Sequence, residues 1–235
     1  MSKRLELDDS YLKNWTSPIQ WLSETEITLA KSAFYPGGGG QVPDHGLLKL
    51  GDDSVPVTCE GIRDDQVLVQ LNDTVSTHPD EAEFELNWDR RYHAMRLHTA
   101  YHCLVGLAWT LYGARVAGGG MSDGRGRIDF SPEIDRAGIE RVVAEANRAI
   151  SQGASVSIDY IPALEAQKSP ELVKLLENRA PMTNSSHYRV IEIDGIDREI
   201  DGGTHVRDLA EVGGIEAGKI SSAGRGSKRF KFTVI

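Results

Sequence analysis

His98 and His102 have the spacing of two side chains on one face of a helix. Residues i and i+4 lie one turn apart, so both imidazoles can bind a single ion. The segment His98-Thr99-Ala100-Tyr101-His102 resembles the His-Glu-x-x-His pattern of metalloproteases, but Thr99 stands where the general-base glutamate would be. That argues against a peptidase of this class. Two unliganded core histidines are the plainer reading of the pair taken alone. His93, five residues before His98, falls roughly 140° away around a helix and is a poorer partner. A second signal is Asp201-Gly202-Gly203-Thr204-His205. Its glycines allow a tight turn that brings a carboxylate and an imidazole towards one point. His98, His102, Asp201 and His205 together form a tetrahedral zinc set, with expected ligand distances of about 2.0–2.2 Å. The plainer alternative is an ordinary turn with a surface histidine.

Two glycine clusters stand apart from these. Phe34-Tyr35-Pro36-Gly37-Gly38-Gly39-Gly40-Gln41 and Gly118-Gly119-Gly120 lack the Lys-Ser or Lys-Thr of a nucleotide P-loop, so that function is rejected. Each is either a hairpin turn or a stretch of backbone bare enough to touch a substrate. A nucleophilic mechanism finds little support. Cys103 follows His102 directly, so on a helix their side chains diverge by about 100°, and it reads as a core cysteine. Ser185-Ser186-His187 lies in a turn without a recognisable partner.

The elements that must position these groups follow from pattern. Glu26–Ala33, Leu47–Leu50, Val55–Ile62 and Gln66–Leu71 are β-rich runs bounded by turn formers, which suggests a small barrel or sandwich. A polar stretch from Asn72 to Glu85 separates this block from the rest. Asp89 is the expected N-cap of a helix running to Tyr112, with Gly113 as its stop. A glycine-rich loop at Gly118–Gly126 precedes a strand at Arg127–Phe130. Ser131-Pro132-Glu133 reads as the start of a second helix that ends at Gly153. Strands are expected at Ser155–Tyr160, Tyr188–Ile193 and Arg229–Ile235, with a helical piece at Pro170–Arg179. The predicted fold is α+β. A small N-terminal β-barrel-like domain (1–88) carries the glycine-rich loop, and a larger α+β domain (89–235) carries the metal site.

Composition bounds the function. The 235 residues include 26 Lys and Arg against 35 Asp and Glu, a formal net charge of −9. Such a chain does not coat DNA or membranes non-specifically, although one local basic patch can still hold an RNA. Lys219, Arg225, Lys228, Arg229 and Lys231 cluster near the end, and Arg90, Arg91, Arg115, Arg125 and Arg127 lie near the proposed site. These are solvated surface or, for some of them, phosphate contacts. The charged first fifteen residues leave no room for an apolar signal core, and Tyr101–Tyr112 is too short to span a bilayer. Two cysteines cannot form a disulfide framework. A soluble, cytoplasmic protein is expected.

Phe34-Tyr35-Pro36 with Gly38-Gly39-Gly40-Gln41, then His98-x3-His102, then Gly202-Gly203-Thr204-His205-Val206, in that order, resemble the alanyl-tRNA editing proteins. These are the freestanding, AlaX-type relatives of the editing domain of alanyl-tRNA synthetase. Arg127-Ile128-Asp129-Phe130-Ser131 looks like the family's strand after the metal helix, and the resemblance spans residues 26 to 216. It implies an ATP-independent deacylase acting in trans on mischarged alanine tRNA, removing serine and sometimes glycine. It implies one Zn2+ per chain, with the family's histidine ligands at His98, His102 and His205. The fourth family ligand is usually cysteine, and Asp201 stands there, a harder donor that favours oxygen-liking metals. Gly118 falls where the synthetase domain often has a glutamine facing the substrate.

On this resemblance His98, His102 and Thr204 serve catalysis, with Thr204 as the partner for the serine hydroxyl. Gly38, Gly39, Gly40, Gln41 and Gly118 approach the substrate. Two rivals remain: a metal-dependent hydrolase of another small ester or amide, and a non-catalytic tRNA-binding module with a degenerate metal site.

Overall fold

The computed structural model describes residues 1–122, 124–166, 168–176, 186–224 and 226–235. The chain divides into two compact units, Met1–Ala94 and Met95–Ile235, and the fold is α+β.

The first unit holds strands Lys3–Arg4 (β1), Asn14–Trp21 (β2), Glu26–Leu29 (β3), Lys31–Ser32 (β4), His45–Leu50 (β5), Asp53–Arg63 (β6), Gln66–Leu71 (β7) and Glu81–Leu86 (β8). Six of them close into an antiparallel barrel in the order β2-β3-β7-β6-β5-β8. Closure leaves no unpaired edge. The polar stretch Asn72 to Glu85, expected to separate the β block from the rest, contains all of β8 but its last residue. Its sequence Glu-Ala-Glu-Phe-Glu-Leu alternates with period two, sending Ala82, Phe84 and Leu86 inwards and the glutamates outwards. Inside the barrel Trp15 packs edge-on to Phe34 at 4.7 Å between ring centroids and stacks on Phe84 at 5.6 Å. The loop after Phe34 is held at its base by Asp44. Asp44 Oδ2 accepts the Tyr35 N–H at 2.6 Å and pairs with the fully buried Arg91, which also donates to Ser10 O and Ala33 O.

A long helix, Trp88–Tyr112 (α1), begins in this unit and continues in the second. Its N-cap is Asn87, not the expected Asp89. The Asn87 side chain accepts the Arg90 N–H at 3.1 Å. Gly113, at φ +61°, ends it as the sequence predicts. The second unit continues with strands Arg115–Ser122 (β9) and Arg125–Ser131 (β10), helix Arg136–Gln152 (α2), strand Val156–Pro162 (β11) and helix Ala163–Ala166 (α3). Strands His187–Ile193 (β12), Asp197–Ile200 (β13), Ile215–Gly224 (β14) and Ser227–Val234 (β15) complete it. They form one antiparallel sheet in the order β14-β15-β10-β9 and a second in the order β11-β12-β13.

Three expectations are corrected here. Gly118–Gly120 lie in β9, not in a loop, because the bare strand surface lets a ring pack against it: a Cβ at Gly119 would fall 2.1 Å from Tyr101 Oη. Ser131 does not cap a helix, since it is still paired in β10. The cap of α2 is Asp135, whose side chain accepts the Gly138 N–H. The helical piece at Pro170–Arg179 reduces to a single 3-10 turn, Pro170–Leu172, and residues 177–179 lie outside the described residues, as do Ser185 and Arg225.

Candidate metal centre

α1 buries residues around most of its circumference in the second unit, Leu97, Ala100, Cys103, Leu104 and Ala108 among them, as a central helix must. His98 and His102 therefore project into the interior, one turn apart, with ring centroids 5.1 Å apart and exposures of 2% and 4%. Beyond β13 the chain turns through Asp201-Gly202-Gly203-Thr204. Asp201 Oδ2 accepts the Gly203 N–H, the local bond by which an aspartate closes such a turn. This delivers His205 to the same place, its ring 4.4 Å from that of His98 and 4.9 Å from that of His102. The Nε2 atoms of His98, His102 and His205 lie 3.6, 3.9 and 3.1 Å from the Asp201 carboxylate. The ligating atoms of all four residues fall within 4.8 Å of one another.

The outward ring nitrogens are anchored. His102 Nδ1 meets Asp197 Oδ2 at 2.9 Å, and His205 Nδ1 meets Thr99 Oγ1 at 3.2 Å. Thr99 Oγ1 also accepts the Val206 N–H at 3.3 Å. A ring that places its proton on Nδ1 presents the Nε2 lone pair to the centre; the Asp197 carboxylate, an acceptor, favours that tautomer in His102, and the Thr99 hydroxyl is able to accept the same proton from His205. Burial pushes His98 well below the usual imidazole range, helped by the neighbouring rings, and it pushes His205 down to about 4. Both rings are thus neutral at pH 7, the form that binds metal. Burial opposes a proton on His102 too, but the Asp197 hydrogen bond and the surrounding carboxylates outweigh it and raise this group to about 9. Burial likewise acts to raise Asp201, yet the three imidazoles hold its carboxyl well below the ordinary range. Three nitrogens and a carboxylate converging in a buried space fit a tetrahedral cation by donor chemistry.

Thr204 lies in the same turn with no exposed surface. Gly118 pairs with Asp129 in the β9–β10 ladder, where a Cβ would sit 3.3 Å from Asp129 Oδ2. Gly38, Gly39, Gly40 and Gln41 belong to the first unit. Gly37 to Gly40 all have positive φ, and Gly38 and Gln41 bridge each other across a tight turn. Only glycine adopts such a run without strain. Arg91 is unsuited to a phosphate contact because it is fully buried on Asp44. Cys103 is a buried core thiol, as expected.

Sequence reasoning missed Asp197, Lys174 and Glu199, since their roles depend on strand pairing and carry no local spacing signal. His102, Asp197 and Glu199 also group their ligating atoms within 4.8 Å, but there the Lys174 ammonium, 2.6 Å from Asp197, already supplies the cation.

No protein-family model matches the chain. It is 35% identical over 237 residues to the alanyl-tRNA editing protein AlaX-M of Saccharolobus solfataricus, spanning 100% of this chain and 99% of that protein. The chain belongs to the alanyl-tRNA editing proteins. Among other family members, the AlaX-M protein of Pyrococcus horikoshii is 29% identical over 235 residues, covering 98% and 97% of the two chains. The relationship extends to the alanine–tRNA ligase of Hyperthermus butylicus, 32% identical over 235 residues, which cover 98% of this chain and 25% of that longer protein. The buried His/Asp cluster is therefore the candidate centre of an alanyl-tRNA editing protein.

Proposed function

We propose that this protein is a trans-acting aminoacyl-tRNA hydrolase that removes serine, and secondarily glycine, from mischarged alanine tRNA, with one zinc ion held by His98, His102, Asp201 and His205. The observation that carries this reading is the convergence of three Nε2 atoms on the Asp201 carboxylate in a member of the alanyl-tRNA editing proteins. In this reading residues 1–88 present the glycine-rich loop and residues 89–235 the hydrolytic site.

Zinc bound there would supply Lewis-acid polarisation of the ester carbonyl or an activated water. The chain's own contribution is positional. Thr99 and Asp197 orient His205 and His102, and the Gly203 N–H fixes Asp201. Gly38 and Gln41 close the turn by bonding each other, so that the backbone of Gly39 and Gly40 offers N–H groups to the acceptor end, and the bare Gly118 leaves room beside the aminoacyl group. The Thr204 hydroxyl is the partner for the serine side chain. Alanine entering a site built for a hydroxyl cannot form that hydrogen bond, which penalises the correct amino acid. No helix of the described residues is long and apolar enough to cross a membrane, and the proposed work on tRNA belongs in the cytoplasm.

The test is hydrolysis of seryl-, glycyl- and alanyl-tRNA of alanine by purified protein, with and without a chelator. Selective, chelator-sensitive loss of serine is expected. No hydrolysis by zinc-loaded protein would point to a hydrolase of another small ester. Protein that takes up no zinc yet binds tRNA would point to a binding module.

A further inference from the structure

Behind His102 lies a charged pair that contributes no atom to the candidate set of His98, His102, Asp201 and His205. Asp197 and Lys174 are 6% and 3% exposed. Asp197 divides its carboxylate, with Oδ2 on His102 Nδ1 at 2.9 Å and Oδ1 against Lys174 Nζ at 2.6 Å. Lys174 Nζ also donates to Arg198 O at 3.0 Å, and the Lys174 N–H donates to Glu199 Oε1 at 3.0 Å. Glu199 keeps its other oxygen 3.9 Å from His102 Nδ1, outside hydrogen-bond reach, so Asp197 alone anchors that ring nitrogen. The lysine is itself fixed from the other side. Its carbonyl accepts the Val116 N–H at 2.8 Å, and Leu176 N–H returns to Val116 O at 2.7 Å, stitching the segment to β9.

The helix makes room for this arrangement at one position. Gly106 is one turn beyond His102 on α1, and a Cβ there would fall 2.5 Å from Ile196 O and 2.8 Å from Asp197 Cβ. A side chain at 106 would push the start of β13 away from the helix, and Asp197 with it. Lys174 gives the buried Asp197 carboxylate a cationic partner in this place.

We infer that Gly106, Asp197 and Lys174 form a positioning device for His102: Gly106 sets the approach of β13, Asp197 fixes the ring and its tautomer, and Lys174 acts only through Asp197. The inference rests on the metal-centre reading above. It concerns zinc affinity, which is measured on the full chain by chelator competition without any tRNA.

Asp197→Asn is nearly isosteric and is expected to weaken zinc binding by about 10- to 100-fold, the usual effect of removing a carboxylate behind a histidine ligand. Gly106→Ala, which leaves every ligand and every charge in place, weakens it in the same direction. Lys174→Met weakens it less, and Lys174→Met/Asp197→Asn binds like Asp197→Asn alone, because a residue acting through another adds nothing once the other is gone. The visible bands of the cobalt-loaded protein shift in Asp197→Asn. Should that variant not fold, Gly106→Ala and Lys174→Met carry the comparison. Wild-type protein that binds zinc, with folded variants of unchanged affinity, overturns this inference and leaves the proposed function standing. So do additive losses in the double variant. Wild-type protein that binds no zinc removes both.

Discussion

Replacing Asp201 by cysteine exchanges one hard oxygen donor for a soft sulfur and leaves the three imidazoles in place. If the four residues hold a metal together, Asp201→Cys raises zinc affinity by about tenfold or more, 1.4 kcal/mol per decade, and lowers affinity for manganese. Competition with a chromophoric chelator checks both directions at once, and unchanged affinities for both ions would remove Asp201 from the set. At this scale the sequence is most legible where spacing does the work. The i, i+4 interval put His98 and His102 on one helix face, and the paired glycines announced a turn able to bring Asp201 and His205 together. Asp197 and Lys174, twenty-three positions apart, gave no such signal. Arg91 was open to the wrong role for a related reason: nothing local shows that it is fully buried against an aspartate forty-seven positions earlier.

Elements are legible where a period is clean and obscure where composition masks it. α2 shows its buried face plainly through Ile139, Val142, Val143, Ala146 and Ile150. β8 is hidden because three of its six residues are glutamates, although the period-two alternation is intact. β14 is largely exposed and owes its conformation to pairing with β15, so its own residues say little. β9 is the instructive case, since its three glycines read as a loop but form a strand whose bare face accommodates Tyr101. Gly119→Ala is therefore expected to destabilise the protein by about 1–3 kcal/mol through overpacking. Adding Tyr101→Phe, which removes the closest atom, recovers part of that loss in urea unfolding. A Gly119→Ala variant as stable as wild type would mean that the ring does not need the glycine.

On the scale of the whole molecule, the mixture of strands and helices and the acidic balance were both visible beforehand, and each unit builds its own core. The formal net charge is −9, so a polyanion needs a local group of cations. Arg229 is bonded to Asp129 and Lys228 to Glu133, while Lys219 and Lys231 remain exposed on the β14–β15 hairpin and are the better candidates for a phosphate. The same molecule-wide view shows where sulfur is placed. The candidate ligand set contains none, and both cysteines are buried, with Cys59 and Cys103 pushed up to about 12 by burial. A thiolate is what peroxide and alkylating reagents attack, so a centre built without one has nothing to lose to them. Native protein should leave a thiol-reactive dye colourless until denaturant is added, and a metal loaded into the His/Asp cluster should stay bound under an oxidative challenge that would strip a cysteine-ligated site. If these four residues hold a metal, its retention does not depend on the redox state of a thiol.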